Sequence, residues 1–501
     1  MRDHPPYLEI PEEGSMNPFA CNRRITVTSR REFLVRSSFG FGSLALGCLL
    51  NSESALASSS VTDSANSLAV KAPLFPAKAR SVIFIFLQGG PSQVDTFDPK
   101  PELSRLNGQL VPPSFLQGML GLAQIKAEEA KLLGSQRSFQ RYGKSGIEVS
   151  DLFQNVAQFA DDLVVIRSCH HESVIHGPAL NMIHTGTVRL GHPSMGAWIL
   201  YGLGSETQNL PSYIVMADSF MRNGKAVIGA GFLPAVYQAT VLSTEGEPLE
   251  NLVRPQQINA PSQQAILSQL KSWNERHLEE RSDDTSLAAR ISNYELAFRM
   301  QTAGPELIDL SHEPERVRRM YGMDNDRTAK FGRLCLLSRR MVERGVRFVH
   351  LYNSDWDSHT ENDRLHRENA AKTDLPIAGL LGDLKQRGLL ESTMVVCVGE
   401  FGRTPMMQGK EGRDHNPFGF TAWMAGGGIK GGKVIGATDE IGLHAVENKV
   451  HANDLHAAML TLLGLDHKKL NVSISGLEKR LTGVGSDGEH GVEVARQLVK
   501  G

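Results

Sequence analysis

The chain has 501 residues, and its 53 Lys and Arg nearly balance 55 Asp and Glu, for a formal charge of −2. That balance leaves no electrostatic footprint for nucleic acid. Five cysteines without regular spacing exclude a disulfide framework, and no internal period marks a repeat protein.

Residues 1–57 read as a targeting segment. Ser29, Arg30, Arg31, Glu32, Phe33 and Leu34 form a twin-arginine pattern, followed at once by an apolar, glycine-containing stretch from Phe39 to Leu50. The stretch is shorter than the roughly 20 apolar residues of a membrane helix. Ala55, Leu56 and Ala57 supply a small-x-small cleavage pattern. The expected mature protein therefore has no stable membrane span and is exported by the twin-arginine translocase to the periplasm or the cell exterior. Cys48 after Gly47 would suit lipid attachment, but Ala45 stands where such a site carries leucine. Cys169, Cys335 and Cys397 remain after cleavage and read as small apolar core residues. Residues 58–78 read as a flexible linker, 79–485 as one working domain and 486–501 as a tail.

The domain opens on Ser81–Leu87 (SVIFIFL), an unbroken apolar run that reads as a buried parallel strand ending in the turn Gly89, Gly90, Pro91. Similar runs recur at Leu163–Ile166, Tyr213–Met216, Phe348–Tyr352, Met394–Val398 and Phe420–Met424. Helical periodicity occupies Gln264–Glu280, Asp284–Thr302, Thr328–Arg344 and Asp374–Gly388. Strands alternating with helices predict an α/β fold, a large, mostly parallel sheet sandwiched between helices.

Ligands of such sheets bind at the carboxyl ends of the strands. The polar residues there are Gln88–Asp98, His170–His184, Asp355–His359 and Glu400–Thr404, with His415 just before the last run. Asp355 or Asp357 with His359 pairs a hard oxygen with a borderline nitrogen, a donor set suited to Zn, Mn or Fe, and His415 would add a second nitrogen. Asp414 could hold a ring N–H from behind. Glu400 and Arg403 place an acid and a guanidinium at a strand end, where Arg403 could grip a phosphate or sulfate or merely brace the turn. His170, His171, His176 and His184 exceed what packing needs, and about half are expected at the site. Gly427, Gly432 and Lys433 have phosphate-loop spacing, but Val434 replaces the required Ser or Thr, so the segment reads as a glycine-rich turn.

The motifs GGPSQVDTFDPKP (Gly89–Pro101), HGPALNMIHTG (His176–Gly186), WDSH (Trp356–His359), GEFGRTP (Gly399–Pro405) and RDHNP (Arg413–Pro417) together resemble the exported domain-of-unknown-function family 1501. That family looks like a branch of the alkaline phosphatase and sulfatase superfamily. The resemblance implies an alkaline-phosphatase-like fold, one or two divalent ions (Zn, Mn, Ca or Mg) and hydrolysis of phosphate or sulfate esters. It matches Asp355 or Asp357, His359 and His415 to the first metal site. At the second site the superfamily's Asp is Gln88 here, its nucleophile is His176, and its Asp-His pair is Glu400 and Phe401. Asp95 or Asp98 could replace the missing carboxylate, and Glu400 could ligate as Asp does. His176 would then act as a nucleophile or as a general acid or base. The alternative is a non-catalytic member that binds an anionic glycan or a protein partner in the same cleft.

Overall fold

The run SVIFIFL forms strand β1 (Ser81–Leu87), and all seven of its residues are buried. A computed structural model describes residues 68–117, 121–243, 258–279, 285–483 and 492–499; the targeting segment lies outside the described residues. Around β1 is a nine-stranded sheet. Its other strands are β2 (Leu163–His170), β3 (Tyr213–Ala217), β4 (Thr240–Leu242), β5 (Phe348–Asn353), β6 (Thr393–Val398), β9 (Phe420–Gly426), β10 (Lys433–Ile435) and β11 (Val450–His451). A separate hairpin, β7 (Gly402–Gln408) and β8 (Gly412–Asn416), lies between β6 and β9 in the chain. The order across the sheet is β10-β2-β9-β6-β1-β5-β3-β4, with β11 also on β2. Every pairing is parallel except those of β9, which runs antiparallel between β2 and β6.

Both faces of the sheet are covered, which explains why the strands are apolar without alternation. Val82, Phe84 and Phe86 enter one core with residues of α1 (His176–Thr185), α2 (Met195–Leu203) and α7 (Ala452–Leu462). Ile83, Ile85 and Leu87 enter the other, with α5 (Asp326–Glu343) and α6 (Asn362–Gln386). Cys169, Cys335 and Cys397 are buried free thiols in these cores. Two further helices, α3 (Ala260–Glu279) and α4 (Thr285–Ile308), precede α5. The fold is thus the helix–sheet–helix sandwich that the alternation implied.

Several boundaries differ from expectation. The segment from His176 is a helix rather than a loop; Gly177 and Pro178 sit in its first turn, where a missing N–H costs nothing. Helix α6 begins at Asn362, not Asp374, because its first turns carry the charged residues Asp363, Arg364, Arg367 and Glu368, which blur the apolar period. The tail contains α8 (Val492–Val499), whose Val494 and Leu498 join the core. Lys433, of the glycine-rich turn, lies on β10 and donates to the Gln497 carbonyl at 3.1 Å.

Asp95 braces this architecture rather than reaching a metal. Its carboxylate takes Arg413 Nε at 2.9 Å, Ser92 Oγ at 2.6 Å and Asn362 Nδ2 at 2.9 Å, joining the β1 loop, the hairpin and α6. Asp98 is likewise committed, to Lys100 at 3.1 Å and to the Thr438 hydroxyl. Burial alone would raise the Asp95 pKa, but the charges of Arg413 and His366 and the hydroxyl bonds hold it down at about 2. The unfolded value is roughly 3.9. The pair's contribution is therefore complete above that value and is lost as pH falls toward the folded one. Replacing Asp95→Ala leaves the buried Arg413 guanidinium uncompensated and should cost about 3–5 kcal/mol at pH 7. Denaturant titrations of both proteins at pH 7 and pH 3 should show the difference shrinking at the lower pH.

Candidate metal centre

Four side chains meet at the carboxyl edge of the parallel strands. His176 opens α1 after β2, Asp357 and His359 follow β5, and His415 lies on β8 just before β9. One ligand atom from each lies within 4.8 Å of all the others. Two close backbone approaches make this possible. A Cβ on Gly89, at φ +115°, would sit 2.4 Å from the Asp357 nitrogen, and one on Gly412 would sit 1.9 Å from the His359 carbonyl oxygen. The β7–β8 register also shifts between Arg413, paired with Met407, and His415, paired with Arg403, so the extra residues of the irregularity lie on β7, at 404–406.

Asp357 is the hub. His359 Nε2 at 2.9 Å, His415 Nε2 at 3.3 Å and Arg403 Nη2 at 2.7 Å meet its Oδ1. His176 Nε2 and Arg222 Nη2, both at 3.0 Å, meet its Oδ2. Burial would raise the Asp357 pKa, but the three imidazoles and Arg403 hold it far below the usual carboxylate range. Burial also lowers His176, yet its bonds to Asp357 and Glu400 outweigh that and the net direction is up. His415 moves down, through burial first and then the charges of Arg403 and His176 against the pull of Asp357.

Each imidazole is anchored through its other nitrogen. His176 Nδ1 meets Glu400 Oε1 at 2.7 Å, His415 Nδ1 the Val174 carbonyl at 2.8 Å, and His359 Nδ1 the Gln408 Oε1 at 2.6 Å. The three partners are acceptors, so each Nδ1 carries the hydrogen and each Nε2 turns its lone pair toward the cluster. Three lone pairs beside one carboxylate repel unless a positive charge stands among them. Three imidazole nitrogens and a carboxylate oxygen suit zinc or another borderline divalent ion, and the donor set fits such an ion.

The remaining candidates serve other ends. Asp355 points outward, its side chain 70% exposed and 3.9 Å from Lys372, so of the two aspartates only Asp357 is in the cluster. Glu400 stands one step behind, accepting from His176 and twice from the Gly89 N–H at 3.0 and 2.9 Å. Arg403 is fully buried and donates to the Gly89, Gly90 and Arg413 carbonyls as well as to Asp357, so it braces the turn and cannot grip a substrate. Asp414 accepts from the Gln124 and Ile125 backbone at 2.7 and 3.1 Å, not from a ring. Of the four clustered histidines only His176 enters. His171 bonds the Glu400 carbonyl at 2.5 Å, His184 bonds Leu180 O and the Tyr352 hydroxyl, and His170 packs on His451. Gln88 holds Phe220 O at 3.0 Å and the Arg222 N–H at 2.7 Å, and Phe401 stacks on the His415 ring at 4.3 Å.

The accessible cation is instead Arg222, 38% exposed, from the loop after β3. The strand-end rule that singled out the other loops applies equally to this one.

These features define an α/β protein with a histidine-rich candidate metal centre at the carboxyl edge of its sheet. Residues 79–492 match the family described as "Protein of unknown function (DUF1501)", and the chain belongs to that family. No curated protein matches it. Among solved structures it is similar to the phosphonate monoester hydrolase SpPMH from Silicibacter pomeroyi, at 11% identity and TM-score 0.34, over 84% of this chain and 76% of that one. It is also similar to a protein in the alkaline phosphatase superfamily from Vibrio parahaemolyticus, at 11% identity and TM-score 0.32, over 81% and 71%. A third is the PsFucS1 sulfatase from Pseudoalteromonas sp., at 11% identity and TM-score 0.31, over 77% and 68%.

The anchoring geometry has a measurable consequence. Gln408→Ala should weaken zinc binding about 10- to 100-fold by loosening His359 alone. His359→Ala should lower metal content below stoichiometry. Competition with a chelator, followed by metal analysis, measures both.

Proposed function

We propose that the chain is an exported, metal-dependent hydrolase of phosphate or sulfate esters. The observation that carries this reading is the convergence of three Nε2 lone pairs and the Asp357 carboxylate beside an exposed guanidinium, Arg222. The twin-arginine pattern at Arg30 and Arg31 supports export.

Asp357, His359 and His415 would hold the ion, since both imidazoles meet the same carboxylate oxygen. A divalent ion held there supplies Lewis-acid chemistry for attack on an ester. With neutral imidazoles, Asp357 and Glu400 cancel Arg222 and Arg403, so the ion's double positive charge is left over to meet an anionic ester. Arg222 takes the non-bridging oxygens of the ester. His176, on the other carboxylate oxygen and backed by Glu400, is placed as a general base, its Nε2 lone pair taking a proton from the attacking water and returning it to the leaving oxygen. Both of its nitrogens are engaged, which favours proton transfer over nucleophilic attack by the ring. Phe401 shields His415 from water.

A second reading, a non-catalytic binder of anionic ligands, is favoured by a different observation. The serine hydroxyls nearest in the chain to the cluster, Ser173, Ser354 and Ser358, are committed to Ile175 O, Phe220 O and Asn362 Oδ1. His176 as a fourth ligand would close the ion's shell.

One variant separates the two readings. In the hydrolase, His176→Ala keeps its metal and loses turnover of aryl phosphates or sulfates by about 10²- to 10⁴-fold. In the binder, His176→Ala loses metal as completely as His359→Ala, and the unmodified protein turns over none of the esters. Arg222→Ala should raise KM by about 10- to 100-fold through loss of a charged hydrogen bond.

A further inference from the structure

The segment from Asp218 to Asn223 is fastened to the cleft along its length. Asn353 and Ser354, at the end of β5, donate to Asp218; Gln88 takes both the Phe220 carbonyl and the Arg222 N–H. Arg222 reaches Asp357 at 3.0 Å, and Asn223 Nδ2 donates to the Gly177 carbonyl at 2.8 Å, beside His176. A loop held so closely has little freedom to place its side chains at random. Yet Phe220 is 77% exposed, and Ile175, the residue before His176, is 53% exposed. Neither ring nor branched chain serves the core, and an aromatic held in water by a fixed backbone is costly unless something covers it.

We infer that Phe220 and Ile175 form an apolar subsite for the alcohol portion of the ester whose charged group Arg222 receives. The inference rests on reading the cleft as a site for anionic esters. Only Met221 separates Phe220 from Arg222, so one ligand can meet both, its anion on the guanidinium and its body on the ring. Phenylalanine has no polar handle and recognises a flat apolar surface. The ligand class is therefore an anionic ester of a ring-bearing alcohol, with either an aryl ring or the C–H face of a pyranose against Phe220. Inorganic phosphate or a short alkyl ester would leave the subsite empty.

Calorimetric binding to the full-length, zinc-loaded protein tests this without requiring turnover, using inorganic phosphate, phenyl phosphate and glucose 6-phosphate. At least one ring ester should bind about 10-fold more tightly than inorganic phosphate, the gain expected of one aromatic contact. That ratio should fall toward one in Phe220→Ala and persist in Leu477→Ala, which removes another exposed apolar side chain from a separate two-stranded hairpin. Preference for phenyl phosphate identifies the aryl class, and preference for glucose 6-phosphate the pyranose class. No preference in the unmodified protein, a preference that survives Phe220→Ala, or no binding of any probe overturns the subsite. A ring preference without hydrolysis of either ester removes the hydrolase reading and leaves the subsite standing; hydrolysis without a ring preference does the reverse.

Discussion

One carboxylate, Asp357, accepts contacts from three imidazoles and two guanidiniums, and the surrounding chain is built to make that crowding tolerable. A half-buried charge is stable only if every partner is held in place, since a partner free to turn away leaves it poorly solvated. All of them except the more exposed Arg222 are accordingly fixed from behind: His176 by Glu400, His415 by Val174, His359 by Gln408, and Arg403 by three backbone carbonyls. The brace between Asp95 and Arg413 then ties the hairpin that carries His415 to the loop after β1. Removing any layer would loosen the next.

Gln88 and Phe401 have physical work of their own. Gln88 uses both ends of its amide, the nitrogen on Phe220 O and the oxygen on the Arg222 N–H. An aspartate there could not donate to that carbonyl, and the loop bearing Arg222 would lose a fastening. Phe401 covers His415 with a ring where a histidine would bring another nitrogen. Together they give the cleft a fastened loop and an apolar wall.

Much of this was legible in the amino-acid order. SVIFIFL announced a strand buried on both faces, and the strand-end rule gathered Asp355 or Asp357, His359 and His415 at one edge. The sequence could not rank neighbours within a loop. Asp355 and Asp357 are equivalent on spacing, and only the positive φ of Asp355, 76°, shows how the chain turns so that one faces out and the other in. Nor could it tell that Arg403 would exhaust its donors on carbonyls brought from elsewhere. Arg222 went unremarked because an arginine among Met, Phe and Asn carries no pattern; its meaning comes from Gln88, far away in the chain. Helix α1 was obscured by Gly177 and Pro178, which mark a loop in isolation and a first turn when a helix follows.

The reversed strand β9 bears on how the molecule assembles. It fits between β2 and β6, which come from distant parts of the chain, and its entry draws His415 to the sheet edge. Closing contacts over such long sequence separations is slow, because chain entropy is lost before the contacts return it. The four-residue cluster therefore cannot exist in a partly collapsed chain holding only β1, β5 and β6. Its completion requires β2, β5 and the hairpin before β9 together, so the cluster is an internal sign that this edge of the sheet is whole.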